Sequence, residues 1–499
     1  MLKWINIIIL AIIILITGAC KMQSNKTVEL PVKSDPTVSL RVWVKTGSQY
    51  DPAGKEGLAF ITAKMISEAS TSQYTYEEIL EKLFPLAADY GTTVDKEQTV
   101  FYGRVHIDKL SPYYLLFKQA LLEPAFKQED LNRIKDDVLN TLQRSLRYND
   151  DEELGKAALN QAIFSKTPYG HDERGTVEAV KSITVEDVKA FYNRYFNREN
   201  IVLGIAGGYT PEFKEQVESD LKKLPEGNAS SKVLISPEKK TGIHVLLVEK
   251  DVVSTAISLG YPLNVLRGDK DFYALALANS WLGEHRNSSS HLYQVIREAR
   301  GMNYGDYSYI ENYPNGGRRQ FPMTNVGRHH PIFQIWIRPV PNEQAHFALR
   351  AATRELQILV DNGMTRDEFE LTRAFLKKYI LHYAPTTMTQ LGYKLDDMFF
   401  GLKVNYFDQF GAALDNMTLE DVNLAIRKHL QYKNIQIAMV TANAEDFKDK
   451  LTNNTASPMK YSSPKPPEIM EEDKQIEKYP LDIKAANVEI IKIDEMFQK

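Results

Sequence analysis

The chain has 499 residues, 43% hydrophobic and 25% charged, which is ordinary folded-protein composition and too long for one hydrophobic core. Its formal net charge of −4 comes with no basic stripe to neutralise phosphates, so nucleic acid is excluded as a partner. A single cysteine, Cys20, excludes any internal disulfide.

In chain order, the first element is an apolar run. Lys3 precedes WINIIILAIIILI, which is short for a membrane span and placed like the core of a signal peptide. The run ends in TGAC, and Cys20 stands where a bacterial lipoprotein signal places its lipidated cysteine, although Thr17 replaces the commoner Leu. A plain secretory signal or an N-terminal anchor helix is the alternative. Residues 1–20 are accordingly expected to be the signal peptide and 21–37 a polar tether, with the mature protein lipid-anchored in the cell envelope.

VSLRVWV (38–44) reads as a strand, followed by a Gly/Pro turn and the helix of GLAFITAKMISE (57–68). Phe60, Ala63 and Lys64 share one face of that helix at i, i+3 and i+4, a spacing suited to metal ligands, yet none is one. TVFYGRVHI (99–107) and IVLGIAG (201–207) read as further strands, separated by long helices. The second half runs through VVSTAISLGY, FQIWIRPV and IQIAMVTA with helices between them. Without regular βαβ alternation, this pattern predicts α+β units with helices packed on one face of a mainly antiparallel sheet.

The halves are built alike. ITVEDVKAFYNRYFNRENIVLGI (183–205) aligns without a gap to MTLEDVNLAIRKHLQYKNIQIAM (417–439). Each opens with a Thr N-cap and acidic residues, continues as an amphipathic helix, and turns at Asn200 or Asn434 into an apolar strand. A weaker echo joins KQEDLNRIKDDVL (127–139) to TRDEFELTRAFLK (365–377). The expected organisation is an N-terminal domain over 38–226, a linker over 227–244, a C-terminal domain over 245–452 and an extended tail over 453–499, with a short strand at VEIIKI near its end.

Several motifs read as structural. His285 and His291 are six apart in GEHRNSSSH and fit no metal spacing; His329 and His330, adjacent in GRHHP, diverge; His106 reads as a half-buried sheet residue. GIAGGYTPE lacks a phosphate-binding glycine pattern and reads as a strand-to-helix turn with Thr210 as N-cap and Pro211 at N1. The aromatic run NYGDYSYIENYP (303–314) reads equally as sheet packing or as a wall for bound peptide.

Four segments together carry a family resemblance: VWVKTGSQYDPAGKEGLAF, LAADYGTTVDKEQTVFYGRV, the run from TPYGHDERG to GIAGG, and SSSHLYQVIREARGMNYGDYSY. The chain resembles the pitrilysin/insulinase-like zinc peptidases over about residues 38–455, in particular the half-length chains that include the mitochondrial processing peptidase subunits. The resemblance implies a clam-shell half of two homologous domains. It implies a zinc signature, H-x-x-E-H, at the positions held here by Phe60, Ala63 and Lys64. It implies a third ligand in VLNTL, where Asn140 and Thr141 stand. None can bind zinc and Lys64 would repel it, so no metal is expected in this chain, and zinc only in a homologous partner subunit. The same resemblance gives Arg297 and Tyr304, in I-R-E-A-R-G-M-N-Y, the role of donors to a substrate carbonyl. It also places peptide or unfolded polypeptide along a sheet edge at Gly91, Thr92, Thr93 and Val94. The function expected is that of the non-zinc subunit of a heterodimeric peptidase. The alternative is a catalytically inactive peptide-binding or scaffold lipoprotein of the cell envelope.

Overall fold

The computed structural model describes residues 27–284, 288–314, 319 and 321–499. Cys20 and the signal-like run lie outside these residues, as does His285.

Among the described residues, eleven strands form two sheets. In the first sheet, β1 (Thr27–Pro31), β5 (Ile201–Gly207), β2 (Thr37–Val44), β4 (Thr99–His106) and β3 (Asp89–Val94) lie side by side in that order. The second sheet runs β11 (Val488–Lys492), β6 (His244–Glu249), β10 (Gln436–Thr441), β7 (Ser254–Pro262), β9 (Ile332–Pro341) and β8 (Asp306–Tyr309). Without β11 the two orders are one topology used twice. β1 on β5 and β6 on β10 are the parallel pairs, and the strands beyond them pair antiparallel. The repeat seen in the sequence occupies equivalent places. The helices Val185–Tyr195 and Leu419–His429 each begin with a capping box, Thr184 with Asp187 and Thr418 with Asp421, and each leads into the second strand of its sheet.

This symmetry corrects the reading of residues 21–37 as a tether. Thr27–Pro31 is the edge strand β1, in register with Leu203–Gly207, and it is the first-domain counterpart of β6. Its single Pro and its polar neighbours masked the strand, because an edge strand needs only one paired side. β6, His244–Glu249, likewise begins at the end of the linker.

Each sheet buries both faces. Val38, Leu40, Val42 and Val44 of β2 alternate into the core formed with the helices of their own half. Trp43, Val100 and Val202 point the other way, onto Leu395 of the helix Thr387–Phe400 from the second half. Reciprocally, the helix Asp151–Phe164 of the first half packs on β7 and β10 of the second sheet. Gly155 allows that approach, since a Cβ there would lie 3.2 Å from Ser258 Oγ. So beyond the helices on one face, each sheet receives one helix from its neighbour on the other.

The expectation of an extended tail over 453–499 is also corrected. Pro467–Ile476 is a helix held by Asp473 and Glu472, which accept from Arg300 at 2.8 Å each. Val488–Lys492 then adds as β11, in the place expected for a strand. The chain next crosses to the first domain, where Met496 and Phe497 are only 1% and 4% exposed within its core. Arg147 Nε donates to the Met496 carbonyl at 3.0 Å, and Val177 N–H donates to the Phe497 carbonyl at 2.8 Å. Loss of periodicity hid this strap, which alternates short pieces that each dock on a different body.

Candidate functional site

The helix Leu58–Ser67 starts at Gly57, whose φ of 98° is left-handed; a Cβ there would meet the Arg174 carbonyl oxygen at 2.4 Å. Asp51 caps this start, accepting from the N–H groups of Gly57 and Ala59 at 2.7 Å each. The helix lies beside β3, and Ser67 Oγ and Thr92 Oγ1 share a hydrogen bond of 3.0 Å. Helix and strand edge therefore share one cleft of about 340 Å³ between the two domains. Phe60 and Lys64 line it with Thr92, Thr93 and Val94, and Tyr313 and Trp336 face them from the second domain.

At the positions of the expected zinc signature, the Lys64 ammonium stands 5.6 Å from the centre of the Phe60 ring and pairs with Glu68. Ala63 is fully buried and offers no donor. Asn140 ends its helix exposed to solvent, and Thr141 Oγ1 donates to the Asp137 carbonyl at 2.9 Å. The side chains present do not fit a zinc ion. Among the described residues no group of three or more His, Cys, Asp or Glu is arranged to hold a metal.

β3 is an edge strand, so Gly91, Thr92, Thr93 and Val94 pair with β4 on one side only. Arg297 and Tyr304 are not in this cleft. Arg297 sits in a π-helical turn, Tyr293–Glu298, and donates to Glu298 at 2.9 Å. Tyr304 follows on a short loop and is 80% exposed. The loop is clipped from beneath: Asn303 Nδ2 donates to Asp306 Oδ1 at 2.8 Å, and Asn303 Oδ1 accepts from Gly305 N–H at 3.1 Å. Burial pushes the Asp306 carboxyl up to about 8. The aromatic run serves both readings, with Tyr307, Tyr309 and Tyr313 packed on Trp336 while Tyr313 also faces the cleft.

The histidines fall in structural places. His291 stacks on Trp281 at 4.4 Å and bonds Glu355 at 2.6 Å, so it is tied into the domain rather than free in a polar loop. His329 bonds Glu97 through Nδ1 at 2.6 Å, and His330 packs edge-on to Tyr169. His106 is the last residue of β4 and is exposed, not half-buried, because the strand ends there. Thr210 caps the helix after β5, with Pro211 at its first position, as its sequence requires.

One group was not legible in the sequence. Arg328, from the second domain, grips Asp95 with Nε and Nη2 at 2.6 and 3.0 Å and donates to Glu173 at 2.9 Å. Glu173 also pairs with the fully buried Lys96 at 3.0 Å. Burial opposes ionisation of Glu173, but Lys96 and then Arg328 hold its carboxyl well below the usual range. These partners lie 155 or more residues apart from Arg328, beyond any motif.

A repeated sheet-and-helix unit with an open edge strand beside the helix Leu58–Ser67 defines a two-domain α+β fold. Residues 27–176 match the family model described as Insulinase (Peptidase family M16), and residues 182–376 match Peptidase M16 inactive domain. An uncharacterized zinc protease of Rickettsia bellii is 25% identical over 282 residues, covering 56% of this chain and 66% of that relative. The probable mitochondrial-processing peptidase subunit beta of Arabidopsis thaliana is 24% identical over 253 residues, 50% of this chain and 47% of the relative. The chain thus matches about two thirds of the first relative's length and about half of the second's. A crystal structure of a peptidase M16 inactive domain from Pseudomonas fluorescens superposes with a TM-score of 0.73 at 23% identity, covering 84% of this chain and 96% of that one. The chain belongs to the insulinase family of peptidases, M16.

Proposed function

We propose that this protein is the non-zinc subunit of a heterodimeric M16 peptidase. It lends Arg297 and Tyr304 to the active site of a zinc-bearing homologous subunit. The observation that carries this reading is the contrast between the two halves. The first domain fills its ligand positions with Phe60, Ala63 and Lys64, while the second leaves Tyr304 out in solvent on a clipped loop, seven residues from Arg297. A phenol left mostly in solvent by its own chain is available to a partner. There the guanidinium and the phenol hydroxyl would donate hydrogen bonds to the carbonyl oxygen of the scissile peptide and to the charge that grows on it. No step of the reaction passes through a metal in this chain. The open edge of β3 would hold an extended stretch of peptide or unfolded polypeptide through backbone hydrogen bonds, away from the scissile bond.

The relative from Arabidopsis is by name a subunit, which agrees with a partner here. The test is peptide cleavage by the chain and a zinc-bearing homologue, together and apart. Together they should cleave far faster than the homologue alone. Arg297→Ala or Tyr304→Phe should each lower the rate about 100-fold with assembly intact. A pair no faster than the homologue alone removes the shared-site reading. The second reading, an inactive peptide-binding or scaffold lipoprotein, is favoured by the cleft beside β3, which exists in this chain without a partner. Lipid anchoring at Cys20 belongs to both readings and is tested by Cys20→Ser, which should abolish acylation by labelled palmitate and release the protein from membranes.

A further inference from the structure

We propose that Arg328 is a positioning residue that sets the peptide-binding edge of one domain from the other. This rests on the reading that β3 takes an extended peptide. The turn Asp95–Gln98 follows β3 directly and carries its last residue, Val94, into the cleft. Its own domain anchors the turn at its backbone and at its neighbouring side chains: Ser48 N–H donates to the Asp95 carbonyl at 3.0 Å and Gln49 N–H to the Lys96 carbonyl at 2.9 Å, Lys96 pairs with Glu173 at 3.0 Å, and the Tyr169 hydroxyl donates to Glu97.

Among the described residues, the side chains of other residues that bond the Asp95 carboxylate come from the second domain. Arg328 forks onto both carboxylate oxygens, Asn312 Nδ2 donates to Oδ2 at 2.8 Å, and Gln98 Nε2 reaches back to the Gly327 carbonyl at 3.0 Å. A planar, bidentate guanidinium fixes direction as well as distance, which a point charge cannot do. The same Nη2 also serves Glu173, so a buried and a half-buried carboxylate converge on one nitrogen. Without Arg328 they would repel each other, with Lys96 as the remaining buried cation beside Glu173. Asp95 is then the movable partner, and Val94, Thr93 and Thr92 move with it. An added strand reads the spacing of edge N–H and C=O groups, so a shift of that edge weakens peptide binding before it touches any reacting atom.

The experiment uses the full chain and fluorescein-labelled casein as the unfolded-polypeptide probe. Arg328→Lys keeps the charge and loses the fork. It should weaken binding about tenfold and speed amide exchange at Gly91–Val94, with the interior strands β2 and β5 unchanged. In the assembled pair it should raise KM about tenfold and leave kcat in place. Asn312→Ala, which disturbs no charge, should move binding and β3 exchange in the same direction by a smaller factor, and it decides the matter if Arg328→Lys does not fold. Wild-type binding and wild-type β3 exchange in both variants would overturn the positioning role, as would exchange that rises equally across the whole first sheet. A wild-type chain that fails to bind casein overturns the peptide-edge reading instead, and β3 exchange still reports on the Arg328 contact.

Discussion

At the scale of residues, three positions decide what the first domain can do. Phe60 and Lys64 stand where the family resemblance expects two imidazoles, and a cation held over a ring repels a dication. Purified protein should therefore carry no stoichiometric zinc by elemental analysis. Phe60→His, Ala63→Glu and Lys64→His together should restore at most weak binding, because Asn140 and Thr141 supply no carboxylate. Asp306 supports a second prediction. In the folded chain its carboxyl, with no hydrogen bond to Oδ2 among the described residues, keeps its proton up to about pH 8, whereas its ordinary value is 3.8. The folded state thus binds the extra proton between those values. Stability from this group is full at low pH and is lost as pH rises towards about 8, at up to about 1.4 kcal/mol per pH unit. Asp306→Asn should flatten that loss in urea titrations run at about pH 5 and about pH 7.5, while wild type weakens over the same interval.

At the scale of elements, the C-terminal strap joins two domains that share few covalent connections. Met496 and Phe497 complete the first domain's core although they follow a strand of the second sheet. Phe497→Ala should cost about 3 kcal/mol or more in chemical denaturation, as for a buried Phe truncated in a core. Removing residues 493–499 should split one unfolding transition into two, because the domains would lose a shared core segment. The strap was poorly legible in the sequence. Its pieces are too short to show a period, and each is stabilised by a different neighbour. The duplicated helix–strand unit was legible, because T-x-E-D-V fixes a capping box by local chemistry alone.

At the scale of the molecule, the two domains are interlocked rather than merely tethered. Each lends a helix to the other's sheet, the strap crosses back, and Arg328 bridges them at the cleft. Such an arrangement makes the cleft a product of both halves. It explains why Phe60 and Val94, from one domain, face Trp336 from the other. The predicted behaviour of the pair with a zinc-bearing homologue belongs at this scale. Arg297 and Tyr304 do not line the cleft, so the proposed role for them is one at a surface shared with another subunit. Their exposure could not be read from their spacing, since a helix-end Arg and a packed Tyr give the same letters.

The sequence by itself determined the family, the α+β class and the internal repeat, because these depend on residue identity and on spacing within single elements. Tertiary structure alone decided that residues 27–31 are an edge strand, that the tail is a strap, and that Arg328, Asp95, Glu173 and Lys96 meet at one point. The reason is physical: edge pairing, strap docking and buried charge pairs join segments that follow no common period along the chain, and their energies arise only once the domains are in contact.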